Sequence, residues 1–151
     1  MTTAPNFPTS TMRLGGDAPQ AMEIGLRFIS AEGGVALAEL PWREDLVGDA
    51  ATGALFGGAL TTLLDHVGGS AVFSALAMSG ATDLAGIATL DLRIDQVRPT
   101  RRGETVTGRA HCYRVTPTVA FMRAAAYETD EADPVATVQA AFAISRTSAA
   151  A

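Results

Sequence analysis

The stretch Gly53-Ala54-Leu55-Phe56-Gly57-Gly58-Ala59-Leu60-Thr61-Thr62-Leu63-Leu64-Asp65-His66-Val67-Gly68-Gly69 decides how the rest of the chain is read. Leu60, Leu63, Leu64, Val67 and Ala71 recur at helical spacing, and the pattern runs on through Phe73 and Leu76. A helix over 57–77 is expected, about 30 Å long at ~1.5 Å per residue. Ser79-Gly80-Ala81-Thr82 then ends it. Glycines at the helix mouth leave backbone N–H groups uncovered, which suits an oxygen carrying negative charge. Asp65 sits among leucines, where a carboxylate is costly without a partner or a task. A possible oxyanion site and a candidate base lie within ten residues, a pairing that suits acyl transfer or hydrolysis.

Outward from the helix, the flanks alternate. Upstream, two short strands are expected at 23–30 and 35–40, joined by the turn signal Glu32-Gly33-Gly34. The segment 41–52 reads as a loop carrying Trp42, the single tryptophan. Downstream, 87–97 alternates, with Ala88, Leu90, Leu92 and Ile94 on one face and Thr89, Asp91, Arg93 and Asp95 on the other. Strands at 105–115, 119–128 and 135–145 follow, separated by turns at 98–103, 116–118 and 130–134. These later connections are too short for parallel crossovers, so the sheet is expected to be antiparallel, with one long helix covering it. Residues 1–20, rich in Thr, Pro, Gly and Ser, read as a flexible arm, and 21–147 as a single domain.

Composition narrows the function classes. The 151 residues are 48% hydrophobic and 18% charged, as in a globular protein with a real core. The net charge is −5, and all eleven basic residues are arginines scattered along the chain, so a nucleic-acid partner is not expected. The lone cysteine, Cys112, excludes an internal disulfide and a multi-cysteine metal site, and fits a reducing, cytoplasmic setting. The apolar run from Gly53 to Met78 is long enough to resemble a membrane span, but Asp65 and His66 near its middle argue for a buried helix instead. No secretory signal is apparent and no membrane partner is expected.

Strand–strand–long helix–four strands is the order of the hotdog fold, an α+β architecture in which a curved antiparallel sheet of five to six strands wraps one central helix. Gly53-x-x-x-Gly57-Gly58, with Asp65 seven residues on and Gly69 after it, resembles the PaaI-like acyl-CoA thioesterases of that superfamily. So do Arg98-Pro99 followed by Gly103-Glu104, and the closing Asp133-Pro134-Val135-Ala136-Thr137. The resemblance covers roughly 23–145. Two positions depart from it. Phe56 stands where the family usually has His before the glycine pair, and Ala50 where many members carry Asn. Both departures remove side-chain hydrogen bonding near the carbonyl and leave the backbone donors and the carboxylate in place.

The resemblance implies hydrolysis of a thioester to a carboxylic acid and free coenzyme A, with no metal and no redox cofactor. A thiolate with a pKa near ~8.5 departs with little help, so the site needs only a polarised carbonyl and a delivered water or carboxylate. Gly57 and Gly58 backbone N–H groups are expected to do the first, and Asp65 the second as base or nucleophile. Thr89 stands where many relatives place a Ser or Thr near the attacking water; a plain strand threonine is the alternative. Gly58 and Asp65 lie ~10 Å apart along one helix axis at ~1.5 Å per residue, too far to share one carbonyl easily. A two-fold homodimer, able to pair again into a tetramer, would bring the mouth of one chain to Asp65 of the other, and the family arrangement implies the same.

Phe56 and Trp42 are candidates for an acyl pocket, Phe56 also reading as an apolar plug. Gly69 is a candidate passage for the pantetheine arm, or with Gly68 a point of close packing. Arg98, Arg101 and Arg102 form either a docking point for coenzyme A phosphates or a solvated turn. His66 points about 100° around the helix from Asp65, and His111 has no ligand partner at metal spacing, so no metal site is expected. The alternative function is a non-catalytic acyl-CoA or small-ligand carrier on the same scaffold. A hydratase or dehydratase is a third reading, disfavoured because no His is placed to pair with the carboxylate.

Overall fold

Gly33 and Gly34, both with positive φ, close a hairpin between β1 (Arg27–Glu32) and β2 (Val35–Leu40). That hairpin forms one edge of the sheet in a computed structural model that describes residues 18–147. A short helix, α1 (Pro19–Glu23), precedes it. The expected arm lies outside the described residues up to position 17, and its last two residues begin α1. After β2 the chain makes a 3-10 turn (Glu44–Leu46) and a small separate hairpin, β3 (Val47–Asp49) with β4 (Ala54–Leu55). The long helix α2 (Gly57–Met78) follows, then β5 (Leu84–Gln96), β6 (Val106–Val115), β7 (Val119–Tyr127) and β8 (Ala136–Arg146).

The main sheet has six strands in the order β1-β2-β6-β7-β8-β5, each pair antiparallel, and it holds α2 against one face. This is the hotdog architecture expected from the order of elements. The helix supplies the large side chains: Leu60, Leu63, Leu64, Val67, Val72 and Leu76 are essentially inaccessible to solvent. The sheet answers with small ones, including Ala36, Ala38, Ala110, Ala124, Ala126 and Ala140. Each buried leucine contributes roughly 1.5–3 kcal/mol of transfer free energy, so the helix is held chiefly by its own side chains sunk into an alanine floor. At Gly108 a Cβ would stand 3.0 Å from Leu63 Cγ, which shows how closely the helix approaches β6. Among the described residues, no helix is long and apolar enough to cross a membrane.

β5 lies on the far edge beside β8, so the loop from β5 to β6 must travel across the ends of β8 and β7. Backbone bonds from Val97 and Arg98 to the Val135 carbonyl tie its start. Glu128, whose side chain is 0% exposed, ties its middle: Oε1 accepts the Arg101 N–H at 2.6 Å, and Arg98 Nη2 stands 2.8 Å from Oε2. That second contact is an ion pair without hydrogen-bond alignment.

Candidate active site

Thr89 and Asp65 meet because β5 is irregular. The register against β8 skips Leu90: Thr89 pairs with Phe142 and Asp91 with Ala141. An extra residue in one strand restarts the inside–outside alternation. Strict alternation, as read from the sequence, puts Thr89 on the face of Asp91 and Arg93. The bulge instead turns it toward the helix, on the side of Leu92 and Ile94, and leaves Leu90 60% exposed. Thr89 Oγ1 donates to Asp65 Oδ1 at 2.7 Å. Asp65 itself is half-buried, at a hollow of about 230 Å³ shared with Gln20, Thr61, Thr62, His66, Thr89 and Leu92.

The helix mouth is fixed from two sides. The Leu55 N–H donates to the buried Thr100 hydroxyl at 2.7 Å, and the Phe56 N–H donates to the Leu46 carbonyl at 2.8 Å. Phe56 is the N-cap, extended at φ −61, ψ 133, and offers no side-chain cap. Its carbonyl accepts the Ala59 N–H. Among the described residues the N–H groups of Gly57 and Gly58 have no acceptor. Thr61 and Thr62 bond back to the Gly57 and Gly58 carbonyls, so the first turn is closed on its acceptor side and open on its donor side.

The two glycines are bare for different reasons, and neither has positive φ. A Cβ on Gly58 would stand 2.3 Å from Phe56 Cε1, because that ring, 62% exposed, lies across it. A Cβ on Gly57 would stand 2.9 Å from Nε2 of Gln96, the last residue of β5. The sequence reading passed over Gln96 and Thr100. A signal for Gln96 exists: it follows Leu92 and Ile94 at period two, a polar residue where the pattern calls for an apolar one.

Other residues singled out by sequence have structural employment. Trp42 Nε1 donates to the Gly53 carbonyl at 2.9 Å. Arg102 lies over the Trp42 ring, 5.6 Å from its centre, and donates to the Ala50 carbonyl at 3.0 Å. Together they brace the loop leading into α2; Gly53, at φ +74, leaves room for the Arg102 guanidinium. Neither lines the hollow at Asp65. Arg98 is engaged by Glu128 and by Asp133, and the Glu128 carboxylate above all holds its pKa above the usual arginine value. Arg101 stands 3.7 Å from the same Glu128 carboxylate, with its guanidinium otherwise open to solvent. Gly68 packs tightly beneath Met122, whereas Gly69 has ordinary clearance to Phe142 and Ile87. Burial pushes the Cys112 thiol up, away from the reactive thiolate.

The carboxylate and the mouth therefore occupy opposite ends of two helical turns. Phe56, Gly57 and Gly58 do not line the hollow at Asp65. A larger hollow of about 490 Å³ lies on the other face of the sheet, among Arg93, Arg109, His111 and Arg123, apart from both. Among the described residues no three His, Cys, Asp or Glu side chains converge as metal ligands would.

Comparison with known proteins adds a family to this geometry. A thioesterase superfamily model matches residues 52–135, from the lead-in of α2 to the start of β8. No curated protein matches the sequence. Among solved structures, a Pseudomonas aeruginosa protein is 35% identical over 82% of this chain and 88% of its own, with a TM-score of 0.70. The E. coli PaaI protein, from the phenylacetic acid degradation operon, superposes at a TM-score of 0.73 over 87% of this chain and 88% of its own, at 19% identity. The Streptococcus mutans protein smu.793, solved bound to acetyl-CoA, does so at 0.67 over 81% and 90%, at 16% identity. The last two likenesses are likenesses of fold.

Proposed function

The chain belongs to the thioesterase superfamily, and from that premise we propose that it hydrolyses an acyl-coenzyme A thioester to the carboxylic acid and free coenzyme A. The observation that carries this reading is the Asp65 carboxylate, held by Thr89 at a half-open hollow, on a helix whose mouth presents two unpaired N–H groups. The acetyl-CoA bound to smu.793 supports a coenzyme A ester as ligand class.

In the proposed reaction the mouth amides of Gly57 and Gly58 polarise the thioester carbonyl. Thr89 occupies one oxygen of Asp65, which leaves the other to act. As base it takes a proton from water while the water oxygen bonds to the carbonyl carbon; the C–S bond then breaks and coenzyme A leaves as thiolate. As nucleophile it bonds to the carbonyl carbon and expels coenzyme A thiolate as the C–S bond breaks, and water then opens the mixed anhydride to the free acid and the Asp65 carboxylate. The two ends of the site lie ~10 Å apart on one helix at ~1.5 Å per residue, so we assign them to different protomers of a two-fold dimer. The exposed Leu90 and the unpaired outer edge of β5 support a second copy seated along this side.

The Phe56 ring lying across Gly58 favours a second reading, acyl-CoA binding without turnover. One assay separates the two. A panel of acyl-CoA esters, short aliphatic to aromatic, is offered to wild type and Asp65→Asn, and free thiol is followed. Release by wild type that is lost in the variant is the expected result. Binding without release across the panel would favour the carrier, and equal release by both proteins would remove Asp65 from the chemistry.

A further inference from the structure

We infer that Gln96 is a catalytic residue, its side-chain amide donating to the thioester oxygen at the helix mouth; the inference rests on the hydrolase reading above. Three observations converge. Gln96 closes β5 in register with the fully buried Ala136 and follows Leu92 and Ile94 at period two, its own side chain exposed at the end of the strand. Its amide nitrogen stands 2.9 Å from where a Cβ of Gly57 would lie, against the open donor end of α2. Its carboxamide, exposed at the strand end, makes no hydrogen bond among the described residues and is free to take a ligand oxygen.

Backbone conformation does not require glycine at position 57. Its φ is not positive, and the first position of a helix accepts most residues, proline included. What a side chain there would displace is the Gln96 amide. The preceding side chain, Phe56, carries no donor. A carboxamide has two N–H donors and stays neutral, so it can reinforce the backbone amides as charge develops on the carbonyl oxygen without drawing a proton from it. A side-chain donor to join the two backbone N–H groups of the mouth thus comes from the neighbouring strand.

The test uses Gln96→Met, which keeps length and loses both donors, and Gln96→Glu, which keeps shape and replaces the donor with a negative acceptor. Turnover is measured on the best substrate of the panel. A second readout is the infrared carbonyl band of a carbonyl-labelled acyl-CoA bound to the Asp65→Asn protein, with and without Gln96→Met. We expect kcat to fall about tenfold to a hundredfold in both variants with KM and melting temperature little changed, as for loss of one oxyanion donor. The band should move toward its position in free ester when Gln96 is replaced. An unchanged kcat and band in Gln96→Met overturns the inference and leaves the hydrolase reading standing. A kcat loss in Met alone, with Glu at wild-type rate, overturns it in favour of packing. If wild type binds the ester without turning it over, the hydrolase reading falls and the catalytic role of Gln96 falls with it.

Discussion

The Thr89 hydroxyl spends its one proton on Asp65, and at 2.7 Å that bond orients the carboxylate toward the hollow. A hydrogen bond to a charged group at a partly exposed site is worth roughly 1–1.5 kcal/mol. Thr89→Val keeps the β-branched shape, so kcat should drop about five- to tenfold while the fold holds, and Thr89→Ser should restore most of it. Full activity in the valine variant would reduce Thr89 to a strand residue. That Asp65 stands out in the sequence follows from its apolar neighbours alone. That Thr89 reaches it does not, because period two assigns Thr89 to the opposite face, and only the extra residue at Leu90 reverses the phase. Nothing local in Ala88-Thr89-Leu90-Asp91 marks a bulge; it arises in pairing with β8.

At the scale of elements, α2 carries two adjacent glycines that propensity alone would disfavour by about 1 kcal/mol each against alanine. Their surroundings differ. A methyl on Gly68 would come 2.1 Å from Met122 Cε, in a fully buried site with Phe142 behind it, whereas at Gly69 the nearest atom is 3.6 Å away. Gly68→Ala should therefore lose stability, about 1–3 kcal/mol of overpacking set against the propensity gain, and Gly69→Ala should be neutral or gain up to about 1 kcal/mol. Chemical denaturation of the two variants side by side checks this, and equal effects would show that Met122 yields freely. The helix itself was legible to within one residue from its apolar spacing. Turn residues (Gly33, Gly34, Gly103, Pro117 and Pro134) likewise placed the first hairpin and the four long strands, although the first strand starts at Arg27 rather than Glu23, where α1 still runs. The lead-in, expected as a plain loop, instead holds a 3-10 turn and the β3–β4 hairpin, elements of two or three residues that are too short to carry a period and are stabilised by its own Trp42 and by Thr100 and Arg102 from beyond the helix.

For the whole molecule, the proposed site shared between protomers has a direct consequence. Gly57→Pro deletes one mouth N–H and crowds the Gln96 amide, at a helix position whose backbone tolerates proline, and Phe56 already has the extended backbone a following proline requires. Gly57→Pro and Asp65→Asn should each be inactive alone. Unfolded and refolded together, they should regain about a quarter of wild-type activity, since half of random pairs are mixed and each mixed pair has one intact site. No recovery, with mixed pairs present by mass, would place the whole site within one chain. By itself the sequence determined the long helix and the six strands of the main sheet, that the sheet is antiparallel, and that a carboxylate and a glycine-flanked helix start belong to one element. Those follow from period, turn chemistry and connection length, which are local. Tertiary structure decided that β5 pairs with β8 at the far edge, that Thr89 faces inward, that Gln96 meets Gly57, and that Arg98 and Arg102 hold loops together. Each of these depends on which strand lies beside which, and that is set by burying one long apolar helix against a single sheet face rather than by any short run of residues.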